Sequence, residues 1–351
     1  MGVNNNRIKK HILVIRLSAM GDVAMTVPVI SALTQQYPGV KITILTRSFF
    51  KPMFATLPNV TIHVADVKNK HKGVLGLWKL YKELKELSID AVADVHNVLR
   101  SNILKRYFSL SKIPFAQIDK GRAEKKELTS PTKKEFRQLQ TTHERYASVF
   151  RALGFPIDLS KIRLPSKQVL SDNTLKIIGS DTKKRIGIAP FAAFSGKMYP
   201  LELMEEVVKY LQETGKYKIL LFGGGESEKE QLKMWSNSYD DSINCAGELS
   251  FEEELVLISN LDMMVAMDSG NAHLAAMFSI PTVTLWGVTH PYAGFYPFGQ
   301  DKNNAILADR EKYPLIPTSI YGNKVPEGYE KVMETIAPAT VFNKIKEILE
   351  R

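Results

Sequence analysis

The stretch RLSAMGDVAMTVPVISAL, residues 16–33, follows the apolar run HILVI (11–15) and leads into a run with helical patterning. Strand, short glycine-bearing turn and helix is the start of a parallel α/β sheet. A dinucleotide-binding protein places a Gly-x-Gly-x-x-Gly loop at this turn to cradle a pyrophosphate. Here the turn holds one glycine, Gly21, followed at once by Asp22. The dinucleotide fingerprint is therefore absent, and a carboxylate stands where a phosphate would normally sit. Two readings stay open: Asp22 caps the next helix, a common role for aspartate, or it is a general base at the mouth of an interdomain cleft.

Outward from this stretch the alternation continues. Strand-like runs at KITILTR (41–47), VTIHVADV (60–67) and DAVADVH (90–96) flank a helical run, GVLGLWKLYKELKELS (73–88). The opening helix is expected from 22, with Pro38 just past its end. A charged, loop-rich region follows, then a helix TTHERYASVFRALG (141–154) closed by Gly154. The polar, turn-rich segment 158–173 reads as a linker. The alternation then restarts with RIGIAP (185–190), PLELMEEVVKYLQETG (200–215), YKILLFGGG (217–225), FEEELVLISNL (251–261), DMMVAMDSG (262–270), NAHLAAMFSI (271–280) and PTVTLWG (281–287). An amphipathic helix, PATVFNKIKEILER (338–351), ends the chain. Two doubly wound sheets imply a cleft, with ligands at the carboxyl ends of the strands.

Composition narrows the class. The chain has 351 residues, 44% apolar and 24% charged, which fits a globular protein of two domains. No apolar run approaches the ~20 residues that span a bilayer, and the N-terminal run is too short for a signal peptide. One cysteine, Cys245, allows no internal disulfide and points to a cytoplasmic location. The net charge is +10, and residues 95–165 hold 15 Lys/Arg against 6 Asp/Glu. That surplus favours an anionic partner: a phosphorylated glycolipid, a membrane surface or nucleic acid. Nucleic acid is disfavoured, because zinc spacing, an RNA-binding aromatic signature and a clear helix-turn-helix are all missing.

Three further stretches carry chemistry. In MDSGNAHLAA (267–276), Asp268, Ser269 and Gly270 form a tight turn whose following helix presents free amides, an anion site that needs no metal. His273 lies in its first turn. In APFAAFSGKMYP (189–200), Lys197 sits on a loop leaving a strand, a place suited to a phosphate counter-charge. FGGGESEKE (222–230) has three glycines after a strand, but not at the dinucleotide spacing.

Together, RLSAMGDVAMTVP, KMYP, CAGELSFEEELVLISNLDMMVAMDSGNAHLAA and PTVTLWGVTHP resemble the family 9 glycosyltransferases, the bacterial lipopolysaccharide heptosyltransferases, over residues 11–299. The resemblance implies a GT-B fold, two Rossmann-like domains facing across a cleft. It implies an acceptor domain over 1–170, a nucleotide-sugar domain over 171–335 and a final helix, 336–351, returning toward the first domain. It implies an inverting, metal-independent transfer without cofactor, of heptose from ADP-heptose to a lipopolysaccharide core acceptor, by an enzyme peripheral to the inner membrane surface. Asp22 becomes the general base. Lys197, Asp268, Ser269, Gly270 and His273 hold the donor diphosphate, and Glu226 or Glu228 reaches the ribose. DVHNVLRS (94–101) and KGRAE (120–124) supply acceptor contacts: His96, Asn97, Arg100 and Arg122, with Lys70 and Lys72 as helpers. The chain departs from the family pattern at His96-Asn97, usually Gln-Gly, at Ala192-Ala193, often hydroxyl residues, and at Tyr199, commonly Trp. The rival readings are a sugar-nucleotide epimerase of the same fold and a non-catalytic sugar-nucleotide-binding protein. A nicotinamide dehydrogenase ranks last, for want of its glycines.

Overall fold

The computed structural model describes residues 10–350; residues 1–9 of the expected first domain and Arg351 of the final helix lie outside them. The chain divides into two compact units. Unit 1 runs to Lys120 and takes back Thr142–Pro165; unit 2 holds Gly121–Thr141 and everything from Ser166 on.

Among the described residues, unit 1 carries a five-stranded parallel sheet of β1 (Lys10–Ile15), β2 (Val40–Thr46), β3 (Val60–Val64), β4 (Ala91–Asp94) and β5 (Phe115–Gln117), in the order β3-β2-β1-β4-β5. Its helices are α1 (Met20–Ala24), α2 (Thr26–Gln36), α3 (Gly73–Lys85) and α4 (Leu99–Ser109). The next helix, α5 (Arg122–Leu128), belongs to unit 2, and α6 (Thr142–Ala152) completes unit 1. β1 is buried over all but its first residue, as a central parallel strand covered on both faces must be. Leu13, Ile15, Leu77, Leu80, Leu84, Val92, Leu104 and Phe108 form one face of that core.

The opening helix, expected as one run from 22, is two. Pro28 has no amide hydrogen and its ring crowds the carbonyl four residues back. The chain breaks at Met25 and restarts, so that Pro28 falls in the first turn of α2, where no amide partner is required. The region read as loop-rich holds α4, β5 and α5.

Unit 2 contains α7 (Asp172–Ile178), β6 (Lys184–Ala189), α8 (Leu201–Glu213), β7 (Tyr217–Leu221), α9 (Glu226–Ser238), β8 (Ser242–Asn244), α10 (Phe251–Ile258), β9 (Met263–Met267), α11 (Gly270–Ala276), β10 (Thr282–Trp286), β11 (Ala305–Leu307) and α12 (Pro338–Leu349). The sheet order is β11-β10-β9-β6-β7-β8, all parallel. Met204, Val207, Val208 and Leu211 give α8 a stripe at helical spacing that packs into the same core.

Two boundaries differ from the sequence expectation. Segment 121–141 leaves the first domain because Leu128 and Leu139 build a small core with Ala293, flanked by Phe136, Tyr292 and Phe295. Leu139 N donates to Tyr292 O (2.9 Å), and Lys134 Nζ to Pro317 O (2.7 Å). The final helix stays in unit 2: Val341, Ile345 and Leu349, one face of α12, are buried in that unit's core, and α12 packs on α8.

Candidate active site

In a doubly wound sheet, ligands gather where the strand order reverses, beyond the carboxyl ends of the strands. In unit 1 that point lies between β1 and β4, where Ile15 pairs with Asp94. The chain leaves β1 through Arg16 and β4 through Val95 and His96. Asp22 is the third residue of α1, not its cap; the cap position is Ala19. Its carboxylate reaches back: Oδ2 accepts the Ala19 amide (3.4 Å) and lies 2.5 Å from Arg16 Nη2. The Asp22 side chain is 31% exposed, whereas Arg16 is buried. Oδ1 takes no hydrogen bond from the described residues, which leaves one carboxylate oxygen open to solvent or substrate.

Arg16 is built into the unit. Nη1 donates to Val95 O (2.7 Å), and the guanidinium lies 5.8 Å from the Tyr146 ring centroid. Tyr146 reaches in from α6 and donates its hydroxyl to Asp22 O (3.3 Å). His96 is buried beside them. Its Nδ1 accepts the Leu17 amide (3.4 Å), and Nε2 faces Ser18 Oγ at 3.5 Å. Burial first, then the Arg16 charge, lower the His96 pKa to about 3, so the ring is neutral at physiological pH. Asp94 fixes the loop by accepting the amides of His96 (2.9 Å) and Asn97 (3.0 Å). Asn97, at φ 48°, donates Nδ2 to Ile118 O, so its side chain ties loop to sheet. Arg100 is exposed in the first turn of α4.

In unit 2 the order reverses between β6 and β9, where Ala189 pairs with Ala266. The loops leaving these strands carry Lys197 and Asp268, and the two meet: Lys197 Nζ lies 2.8 Å from Asp268 Oδ2 and donates to Asp268 O at 2.8 Å. Two of the three ammonium hydrogens are thereby held, and the third remains for a ligand oxygen. The pair is shielded, with Lys197 16% and Asp268 5% exposed at the side chain. Glycines make the room. A Cβ on Gly322 (φ +83°) would stand 2.5 Å from Lys197 Cγ, and one on Gly196 2.5 Å from Val288. Val288 N donates to Gly196 O (3.0 Å), so the WGVTHP segment holds the turn that presents the lysine.

Asp268 is therefore the lysine's fixed partner, and its charge opposes an anion; it positions Lys197. Ser269 precedes α11, yet its hydroxyl does not cap that helix and is buried with no hydrogen-bond partner among the described residues. Gly270 opens α11, and His273 is buried at its fourth position. Ala192 and Ala193 bring no hydroxyl to the lysine loop; the Ala192 amide donates to Met198 Sδ (3.1 Å). Tyr199 is wholly buried and donates to Ile336 O (2.7 Å), anchoring the same loop. Glu226 begins α9, 87% exposed, against Lys229 (2.7 Å). Glu228 accepts the amides of Gly224 (2.7 Å) and Gly225 (3.4 Å), which occupies it as a helix cap.

The structure thus groups Asp22 with His96 in unit 1, and Lys197 with Asp268 and the start of α11 in unit 2. Arg122, expected beside Arg100 in the first domain, belongs to unit 2, carried there by the core of segment 121–141. Lys70 is paired with Glu83 (2.9 Å), and Lys72 is exposed. Sequence reasoning missed Arg16, Tyr146 and Gly322. Arg16 stands in the opening stretch and could have been noticed as a charge directly after a buried strand. Tyr146 and Gly322 carry no local signal.

Two doubly wound parallel sheets, each with polar side chains at its switch point, are the architecture of the GT-B fold. The family model for glycosyltransferase family 9 (heptosyltransferase) matches residues 77–319, and the chain belongs to this family of glycosyltransferases. It is 26% identical over 361 residues to lipooligosaccharide heptosyltransferase 2 of Haemophilus ducreyi, covering 96% of this chain and 99% of that one. Among solved structures, a family 9 glycosyltransferase from Veillonella parvula superposes with a TM-score of 0.75 at 20% identity, covering 100% of this chain and 99% of that one. The E. coli ADP-heptose lps heptosyltransferase II does so at 0.69 and 20% identity, covering 97% and 98%.

Proposed function

We propose that the protein transfers heptose from ADP-heptose to an anionic lipopolysaccharide core acceptor with inversion at the anomeric carbon, and that Asp22 is the general base. The observation that carries this reading is the pair of Asp22 oxygens: Oδ2 is fixed by Arg16 at 2.5 Å, and Oδ1 takes no hydrogen bond from the described residues in a side chain that is 31% exposed. A base needs a fixed orientation and a free lone pair, and Asp22 has both. ADP-heptose as the donor is supported by the name of one similar structure, the E. coli ADP-heptose lps heptosyltransferase II.

In this reading the donor diphosphate rests on the third hydrogen of Lys197, the Ser269 hydroxyl and the first amides of α11. These groups stabilise the charge that grows on the departing ADP. The acceptor oxygen attacks the anomeric carbon while Asp22 takes its proton. The new bond forms from that oxygen as the bond from the anomeric carbon to the diphosphate breaks. A sugar hydroxyl is far too weak an acid to ionise first, so proton transfer accompanies attack; such base catalysis contributes ~10²–10⁴-fold. Neutral His96, on the loop after β4, faces Leu17 and Ser18 as an uncharged hydrogen-bonding group. Arg100 serves the acceptor's anionic groups in unit 1 and Arg122 in unit 2. Glu226, exposed at the start of α9, is the ribose contact in this scheme. The enzyme works at the inner membrane surface, where such an acceptor is anchored.

A crossed pair of variants tests the assignment. Asp22→Asn lowers kcat about 100-fold or more and leaves ADP affinity unchanged. Lys197→Ala weakens ADP binding measured by calorimetry. Retention of more than about a tenth of turnover in Asp22→Asn removes the base assignment. Unchanged ADP affinity in Lys197→Ala moves the phosphate site elsewhere.

A further inference from the structure

The first two turns of α3 expose apolar side chains that the core does not need. Its buried face is complete with Leu77, Leu80, Tyr81 and Leu84. Yet Leu75 is 86% exposed, Val74 60% and Trp78 36%. The segment is closely packed. A Cβ on Gly76 would stand 2.4 Å from the His71 carbonyl carbon, so the preceding turn is folded tightly against the helix, and His71 is buried. Trp78 is held by ring contacts with Tyr81 (5.2 Å) and Tyr107 (5.0 Å), and Tyr107 donates to Val74 O (3.3 Å).

The rim is cationic. Lys72, Lys79 and Lys82 are exposed around the apolar residues, with Lys82 Nζ 5.8 Å from the Trp78 ring centroid. The one acid within α3, Glu83, is engaged by Lys70 (2.9 Å) and lies within 3.2 Å of His71 Nε2. An apolar centre with an indole and a lysine border matches the boundary of an anionic bilayer. There aliphatic side chains enter the acyl region, the indole sits at headgroup depth and the ammonium groups meet lipid phosphates. A second copy of the chain fits poorly, because it would set lysines against lysines.

We infer that Val74, Leu75 and Trp78, bordered by Lys72, Lys79 and Lys82, are an interfacial contact of this protein with anionic phospholipid. No described helix is long and apolar enough to cross a membrane, so the contact lies in the interface. The inference rests on the membrane-surface reading above only in taking lipid as the partner. It places the contact on α3, outside the basic stretch 95–165, and is independent of Asp22.

The chain supplies its own probe. Of its three tryptophans, Trp235 and Trp286 are buried and only Trp78 can report on a surface event. Vesicles of phosphatidylglycerol and phosphatidylcholine should shift the emission to the blue, whereas pure phosphatidylcholine should not, and Trp78→Phe should abolish the shift. Val74→Ser with Leu75→Ser should reduce co-sedimentation with the anionic vesicles at least about tenfold. Raising the salt from low to high should weaken wild-type binding several-fold. Both serines replace exposed side chains, and unchanged melting and ADP affinity verify the fold. Sedimentation without a Trp78 shift places the contact elsewhere, the basic stretch included, and overturns the inference. So does an absence of sedimentation. So does a double variant that binds vesicles normally but dissociates a wild-type dimer, which would make the face a self-association surface.

Discussion

Asp22 is paired with Arg16 at the switch point of unit 1. An ion pair of 2.5 Å between a buried guanidinium and a partly exposed carboxylate fixes the acid's rotamer without enclosing it. Arg16 in turn depends on Val95 O, beyond the neighbouring strand, and on Tyr146 of α6. Arg16→Met should therefore lower kcat roughly 10- to 100-fold, the worth of a charged hydrogen bond. The KM for the nucleotide sugar should stay near its wild-type value, because the proposed donor site is in unit 2. Arg16→Lys should recover part of the loss. Steady-state kinetics on the two variants decide it: equal damage by Lys and Met, or a matching rise in donor KM, would make Arg16 a purely structural residue. Asp22 was legible as a candidate because a carboxylate followed the turn glycine. Its orientation was not, because Val95 and Tyr146 come from elsewhere in the chain.

At the scale of elements, α10 shows what a strongly patterned segment leaves undecided. Ser250 and Glu253 form a reciprocal cap, with Ser250 N donating to Glu253 Oε2 (2.9 Å). The next acid, Glu254, lies on the inward side, and burial raises its pKa to about 7. An unfolded glutamate ionises near 4.5. Between these values the folded state binds the extra proton, so stability falls as pH rises from about 4.5 to 7 and is level beyond. Denaturant unfolding at pH 5 and pH 8 should show this loss, on the order of 2–3 kcal/mol. Glu254→Gln should remove most of it. An equal pH dependence in wild type and variant would show that Glu254 ionises freely in the folded protein. The same distinction separates α12 from its expectation. Its amphipathic stripe fixed a helix, but the packing of Val341, Ile345 and Leu349 beside α8 determined which unit received it.

At the scale of the molecule, the two units have separate cores and separate sheets, and each presents its polar groups at its own switch point. Nucleotide should therefore act on one unit. In hydrogen exchange, ADP should slow the amides of residues 195–199 and 268–273, and leave those of 91–98 in unit 1 unchanged. Protection that appears first at 91–98 would put the nucleotide on the wrong unit. The sequence by itself determined the two alternating α/β blocks, the family, and the loops that bear Asp22, Lys197 and Asp268, because strand and helix periods and turn residues are local properties of the chain. Only the tertiary structure decided that segment 121–141 joins unit 2, that α12 packs there, that Asp268 clamps Lys197, and that Arg16 orients Asp22. Each of these depends on side chains far apart in sequence meeting in a packed core or across a sheet, where volume and charge are matched in three dimensions and no local pattern records the partner.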